Sequence, residues 1–173
     1  AYTAGQGMVV RFTAVFAEAG IADNQRTIGI GDATDGYYFG YNGVDFGLSR
    51  QSGGTHNWTA QTAWSEDVMD GTGASGITLD TTKGNVYEIQ YQWLGFGMIK
   101  FYIENGTTGE FILVHKIAWA NANTVPTILN PTLPLCMSSL NSGNTTSRTI
   151  KSASMAAFSE GPEMESDIVF SEG

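Results

Sequence analysis

Apolar and polar residues alternate with a period of two along much of the chain, most clearly over residues 85–121. Tyr87, Ile89, Tyr91 and Trp93 fall on one face of an extended segment, with Glu88, Gln90 and Gln92 on the other. Ile99, Phe101 and Ile103 then oppose Lys100, Tyr102 and Glu104. Residues 111–119 are apolar on both parities, a pattern that predicts a more central strand. Residues 94–97 and 105–109 supply the reversals, because Gly and Asn accept positive φ at little cost. These three strands predict an antiparallel meander, and its apolar face requires a second layer.

The same period continues on either side. Met8, Val10, Phe12 and Phe16 share one face of a strand over residues 8–17, opposite Arg11 and Thr13. Residues 18–26 read as a loop. Short strands follow over 27–31, 37–41 and 46–51, separated by the turn Asp32-Ala33-Thr34-Asp35-Gly36 and the hairpin signal Asn42-Gly43. Beyond Ser52-Gly53-Gly54, the residues His56, Trp58, Ala60, Thr62 and Trp64 alternate along a further strand. Residues 65–75 are polar, acidic and glycine-rich, hence a loop, and 77–80 read as a short edge strand. Residues 121–134 hold Pro126, Pro131 and Pro134 and predict a crossing loop. The last strands are expected over 135–140 and 148–158, the final one beside residues 8–17. About ten to a dozen strands in one unit predict an all-β fold. Its form is a two-sheet antiparallel β-sandwich, a jelly roll, over residues 1–161, with residues 162–173 as an acidic tail or linker.

Composition narrows the function classes. With 42% hydrophobic and 14% charged residues in 173, the chain can bury a proper core and is not disordered. No apolar run approaches the roughly 18–20 residues of a spanning helix, so membrane insertion is not expected. A net charge of −9, with only 8 basic residues scattered singly, makes a poor partner for a phosphate backbone and argues against nucleic acid. The single cysteine, Cys136, excludes an internal disulfide and reads as a small buried hydrophobe. The start at Ala1 and the acidic end predict a piece of a longer protein, through which a homo-oligomer would form. Phe158-Ser159-Glu160-Gly161 recurs as Phe170-Ser171-Glu172-Gly173, but two copies are too few for a repeat architecture.

Three stretches carry a family resemblance. They are IGIGDATDGYYFGYNGVDFGLSRQSGG (28–54), WSEDVMDGTGASGITLD (64–80), and GNVYEIQYQWLGFGMIKFYIEN with VHKIAWANANTVPTILNPTLP (84–105 and 114–134). Together they resemble a domain of structural proteins from tailed phages and large DNA viruses, with the shape of a concanavalin A-like jelly roll. The similarity runs from Thr27 to Gly161. It implies a fibre, spike or capsid decoration, located on the virion or outside the cell. Its partners would be other virion proteins or a host-surface glycan or protein. The resemblance brings no catalytic residue with it.

The candidate chemistry is sparse. Retaining glucanases of this fold carry E-x-D-x-x-E on one strand, placing two carboxylates about 5–5.5 Å apart. That triplet is absent here. Glu88 and Glu104 lack a partner at that spacing, and Glu66, Asp67 and Asp70 cluster in a loop without flanking strands to fix them. Neither His56 nor His115 lies near a nucleophile motif, and His115 alternates with Leu113 and Ile117, so it is expected on their face. No enzyme is expected. Asp32, Asp35, Asn42 and Asp45 supply oxygen ligands suited to Ca²⁺, but the same residue types are favoured in turns for local hydrogen bonding, and that reading is preferred. One Cys and two distant His speak against zinc.

Surface aromatics carry the binding hypothesis: Trp58 and Trp64 on one strand face, with Tyr37, Tyr38 and Tyr41 on the first hairpin. Aromatic platforms beside polar loops hold sugar rings and anchor interfaces, although most of these rings must fill the core. Asn57-Trp58-Thr59, Asn105-Gly106-Thr107 and Asn144-Thr145-Thr146 match the N-glycosylation pattern, which matters only in a eukaryotic host. The first expectation is therefore a non-enzymatic structural or attachment module of a virus particle. A carbohydrate-binding lectin-like domain, with or without calcium, is the second, and a polysaccharide hydrolase or lyase is the third.

Overall fold

The computed structural model describes residues 6–92 and 94–159. Trp93, the amino-terminal residues 1–5, the acidic tail and the second copy of the Phe-Ser-Glu-Gly echo lie outside the described residues. Among the described residues, eleven strands run in chain order: β1 (Gly7–Phe16), β2 (Asn24–Gly31), β3 (Gly36–Asn42), β4 (Asp45–Ser52), β5 (Thr55–Ala60), β6 (Asn85–Gln92), β7 (Ile99–Glu104), β8 (Phe111–Ile117), β9 (Leu135–Asn141), β10 (Ile150–Lys151) and β11 (Met155–Ser159). They form two antiparallel sheets. One has the order β10-β1-β6-β7-β8, with β11 also on β1, and the other the order β5-β4-β3-β2-β9. The two-sheet sandwich expected from the alternation is what the chain forms.

The period of two decides which side chains meet between the sheets. Val10, Phe12, Ala14 and Phe16 of β1 face Ile28, Ile30, Phe39 and Leu48 of the opposite sheet, all buried. Phe39 is the hub. Its ring contacts Phe12, Tyr87 and Phe101 across the interface at 6.3, 4.9 and 5.5 Å, and Trp64 at 6.1 Å. Each such pair is worth about 0.5–1.5 kcal/mol beyond its buried area. β11 and β10 follow one another along β1, through Met8↔Ser159 to Phe16↔Ile150, so the last described strands pair with the first.

Several expectations need correction. β2 begins at Asn24, inside the segment read as a loop, because Arg26 points into the sandwich instead of solvent. Its guanidinium donates to the carbonyls of Glu18 (2.9 Å), Ala19 (3.0 Å) and Thr149 (3.3 Å) and lies over the Tyr41 ring at 4.6 Å. The strand expected over 148–158 is broken into β10 and β11. Residues 77–80 form no strand; Asp70↔Thr78 is an isolated bridge.

β8 is at the edge of its sheet, not central, and ends at Ile117. Its two-sided apolar pattern has another cause. A bulge pairs Tyr102 with Leu113 and Phe101 with His115, so Leu113 and His115 face opposite sides and Val114 enters the core. The free edge of β8 is then covered: the amides of Glu66 and Asp67 donate to the Val114 carbonyl at 3.1 and 3.2 Å. The acidic loop that does this is not loosely held. Buried Asp67 accepts from the amides of Met69 and Ser75, both at 2.8 Å.

Candidate functional site

The two outer faces of the sandwich differ in what they leave available. On the six-stranded sheet, Arg11 Nε donates to the Glu88 carboxylate, which is only 2% exposed and also takes a 2.6 Å bond from Gln90 Nε2. There the Arg11–Glu88 pair is satisfied within the face. The outer face of the five-stranded sheet carries almost no charge and is hollowed.

Glycines bring the backbones of this sheet's strands close together. Register puts Gly29 beside Tyr38, Gly40 beside Thr27 and Gly47 beside Ala60. A Cβ at these positions would come within 2.2, 1.8 and 2.3 Å of the carbonyl oxygens of Tyr37, Arg26 and Thr59. The same close approach on three strands is one that only positions without a side chain permit. Above this floor lies a depression of about 330 Å³ lined by Thr27, Gly31, Asp32, Ala33, Tyr38, Gln51, His56, Cys136, Ser138 and Leu140.

Each polar group in it is positioned by the strands. The Tyr38 ring lies across Gly31 and Gly36, where a Cβ would meet its hydroxyl at 2.0 and 2.4 Å. That hydroxyl donates to Gln51 Oε1 at 3.0 Å, with the Asp32 carbonyl 3.2 Å away, and Gln51 Nε2 donates to the Ala33 carbonyl at 3.1 Å. Burial pushes the Tyr38 phenol up, so it stays a donor. Thr27 and Ser138 share a 2.9 Å hydroxyl pair across β2 and β9. On the edge strand β5, the His56 ring stacks on Trp58, with centroids 5.6 Å apart and planes at 23°. Ser49 Oγ lies 2.9 Å from His56 Nδ1, which leaves Nε2 without a protein partner among the described residues. Burial lowers the His56 pKa from its ordinary value, which favours the neutral ring. At the rim, backbone amides of Asp35 and Thr34 hold the Asp32 carboxyl well below the usual carboxylate range.

The structure divides the five aromatic candidates. Trp58 and Tyr38 face outward, but Tyr38 is itself buried at 3% exposure, so of the two only Trp58 offers ring surface. Tyr37 and Tyr41 are buried in the core at 1% and 7% exposure, their hydroxyls bonded to Thr127 and Thr81, and have no surface to offer a ligand. Trp64 is also a core residue, 5% exposed, and does not share a strand face with Trp58. β5 stops at Ala60, and the 3-10 turn Gln61–Ala63 rotates the chain so that Trp64 points inward against Phe39 and Phe46.

The four oxygen ligands considered for calcium do not converge. Asp32 and Asp35 sit before β3, whereas Asn42 ends it and Asp45 begins β4, so the two pairs lie roughly 20 Å apart at about 3.3 Å per residue. Asp32 accepts from the amides of Thr34 and Asp35 at 2.7 and 2.9 Å. Asp35, buried, accepts from the amides of Leu129 and Asn130, both at 3.2 Å. Their carboxylates tie a turn and a crossing loop. Among the described residues, no group of three or more His, Cys, Asp or Glu could hold a metal ion.

The residues that sequence reasoning passed over here are His56, Ser49, Gln51, Thr27 and Ser138. Alternation already placed His56 on the Trp58 face, but nothing in the spacing marked a hollow beside it. Cys136 is half-buried on this outer face, opposite Gly29, and not a core residue.

No family model and no curated protein matches the sequence. Among solved structures, a xylan beta-1,4-xylosidase from Bacillus Halodurans C-125 is similar, with a TM-score of 0.54 and 13% identity. The match covers 90% of this chain and 28% of that one, so the chain spans well under a third of the enzyme it resembles. At that identity the likeness concerns the fold.

Proposed function

We propose that this domain is a non-enzymatic recognition module that holds an oligosaccharide on the hollow outer face of its five-stranded sheet. The observation that carries the reading is the His56–Trp58 stack at the border of a depression lined by hydroxyl and amide groups. An aromatic wall beside fixed hydrogen-bonding groups matches a sugar, which presents an apolar ring face and a rim of hydroxyls. The depression is at the small end of the roughly 300–1,000 Å³ typical of ligand sites and suits a short segment of glycan. The structural neighbour's printed name, a xylosidase, agrees with a carbohydrate ligand.

The lining offers one carboxylate, Asp32, whereas glycoside hydrolysis by the usual route needs two. Binding without turnover is therefore the reading favoured over hydrolysis. The virion setting rests on the sequence resemblance alone. Attachment to a host glycan would use the same face and the same chemistry.

Calorimetric titration with xylo-, cello-, manno- and galacto-oligosaccharides tests this. At least one series is expected to bind. Trp58→Ala and His56→Ala are each expected to weaken it at least tenfold, about 1.4 kcal/mol. No reducing sugar should be released, and a chelator should not change the affinity. Absence of binding across the panel, or full affinity in Trp58→Ala, overturns the proposal.

A further inference from the structure

We infer that the glycan held at this face is uncharged, and that Asp32 sets the preference by accepting a sugar hydroxyl and repelling acidic groups. The inference rests on the binding reading above and adds the ligand's chemical class. No Lys or Arg lines the depression. Arg50 and Arg26, the basic residues of the strands beneath it, are committed elsewhere. Arg50 donates to the Thr127 carbonyl and lies over the Trp119 ring at 4.5 Å, while Arg26 is enclosed by carbonyls. A ligand carboxylate or sulfate would find no cation to replace its water, and desolvating an unpaired charge is costly.

Asp32 supplies the fixed charge. Its Oδ1 is filled by the Thr34 amide (2.7 Å), the Asp35 amide (2.9 Å) and the Thr34 hydroxyl (2.9 Å). Its Oδ2 takes a single bond, from Asn130 Nδ2 at 2.9 Å, and so keeps acceptor capacity. A hydroxyl donating there makes a charge-assisted bond, whereas an acidic group brings no proton and adds like-charge repulsion. The chain's net charge of −9 works in the same direction at longer range.

The test uses a matched pair, a neutral hexose oligomer and its C6-oxidised uronate counterpart, titrated into wild type, Asp32→Asn and Trp58→Ala. Asn keeps an oxygen for the Thr34 and Asp35 amides. Wild type is expected to bind the neutral oligomer at least tenfold more tightly at low salt. Raising the ionic strength should narrow that gap, a result that needs no variant. Asp32→Asn should lose several-fold on the neutral oligomer and most of the discrimination. Equal or tighter binding of the uronate by wild type overturns the inference, as does an unchanged ratio in Asp32→Asn, while both leave the site reading standing. Loss of the neutral oligomer by neither Trp58→Ala nor Asp32→Asn overturns the site itself.

Discussion

His56 joins stability to recognition at the scale of one side chain. Stacking on Trp58 and closeness to Ser49 remove its ring from water, and burial lowers its pKa; His115, against Phe101 and the Ser65 amide, is lowered for the same reason. In the unfolded chain both imidazoles protonate near about pH 6.5. In the folded protein they do so only at lower pH. Between those values the unfolded state binds more protons, so stability falls as pH falls through about 6.5. Denaturant midpoints measured between about pH 7.5 and 5.5 should decline, and the double variant His56→Gln/His115→Gln should flatten the decline. The depressed carboxyls, Asp67 and Asp80 among them, act lower: their contribution is lost only as pH falls below the ordinary carboxylate range. A flat wild-type profile above about pH 5.5 would contradict this assignment. At this scale the sequence was half legible. Alternation placed His56 with Trp58 correctly, but it also assigned Trp64 to the same face, because a three-residue 3-10 turn without Gly or Pro leaves no mark in the pattern.

The strands themselves were the most legible level, because a period of two survives any rearrangement that keeps one face buried. β8 was misplaced because a bulge and a buried residue on each parity look alike in one dimension. The close backbone approach within the five-stranded sheet was not legible at all. Gly40 and Gly47 fall inside the expected strands, and only cross-strand register shows that their missing side chains let neighbouring carbonyls approach. This gives an element-scale prediction. Gly40→Ala should cost about 1–3 kcal/mol by urea denaturation, as overpacking does, and should weaken glycan binding by displacing β2 at Thr27. Gly106→Ala, in an open turn with nothing within 4 Å of its Cβ, should be neutral or stabilise by about 0.4–1 kcal/mol. Equal effects at the two sites would remove the steric account of the close approach.

For the molecule as a whole, the aromatic hub at Phe39 draws many of the described rings into the core between the sheets and leaves His56 and Trp58 on an outer face. That division is what makes an outer-face His–Trp stack informative. The likeness to part of a xylosidase agrees with the sandwich and leaves recognition to be argued from the site. The most direct measurement is a titration of the isotope-labelled protein with a neutral oligosaccharide, followed by amide chemical shifts. The account predicts shifts at His56, Trp58, Ser49, Asp32 and Ser138, saturating together, with Arg11, Glu88 and Tyr102 on the opposite sheet unmoved. Saturating shifts on the opposite sheet, or none at the five-stranded face with any neutral glycan, would contradict it.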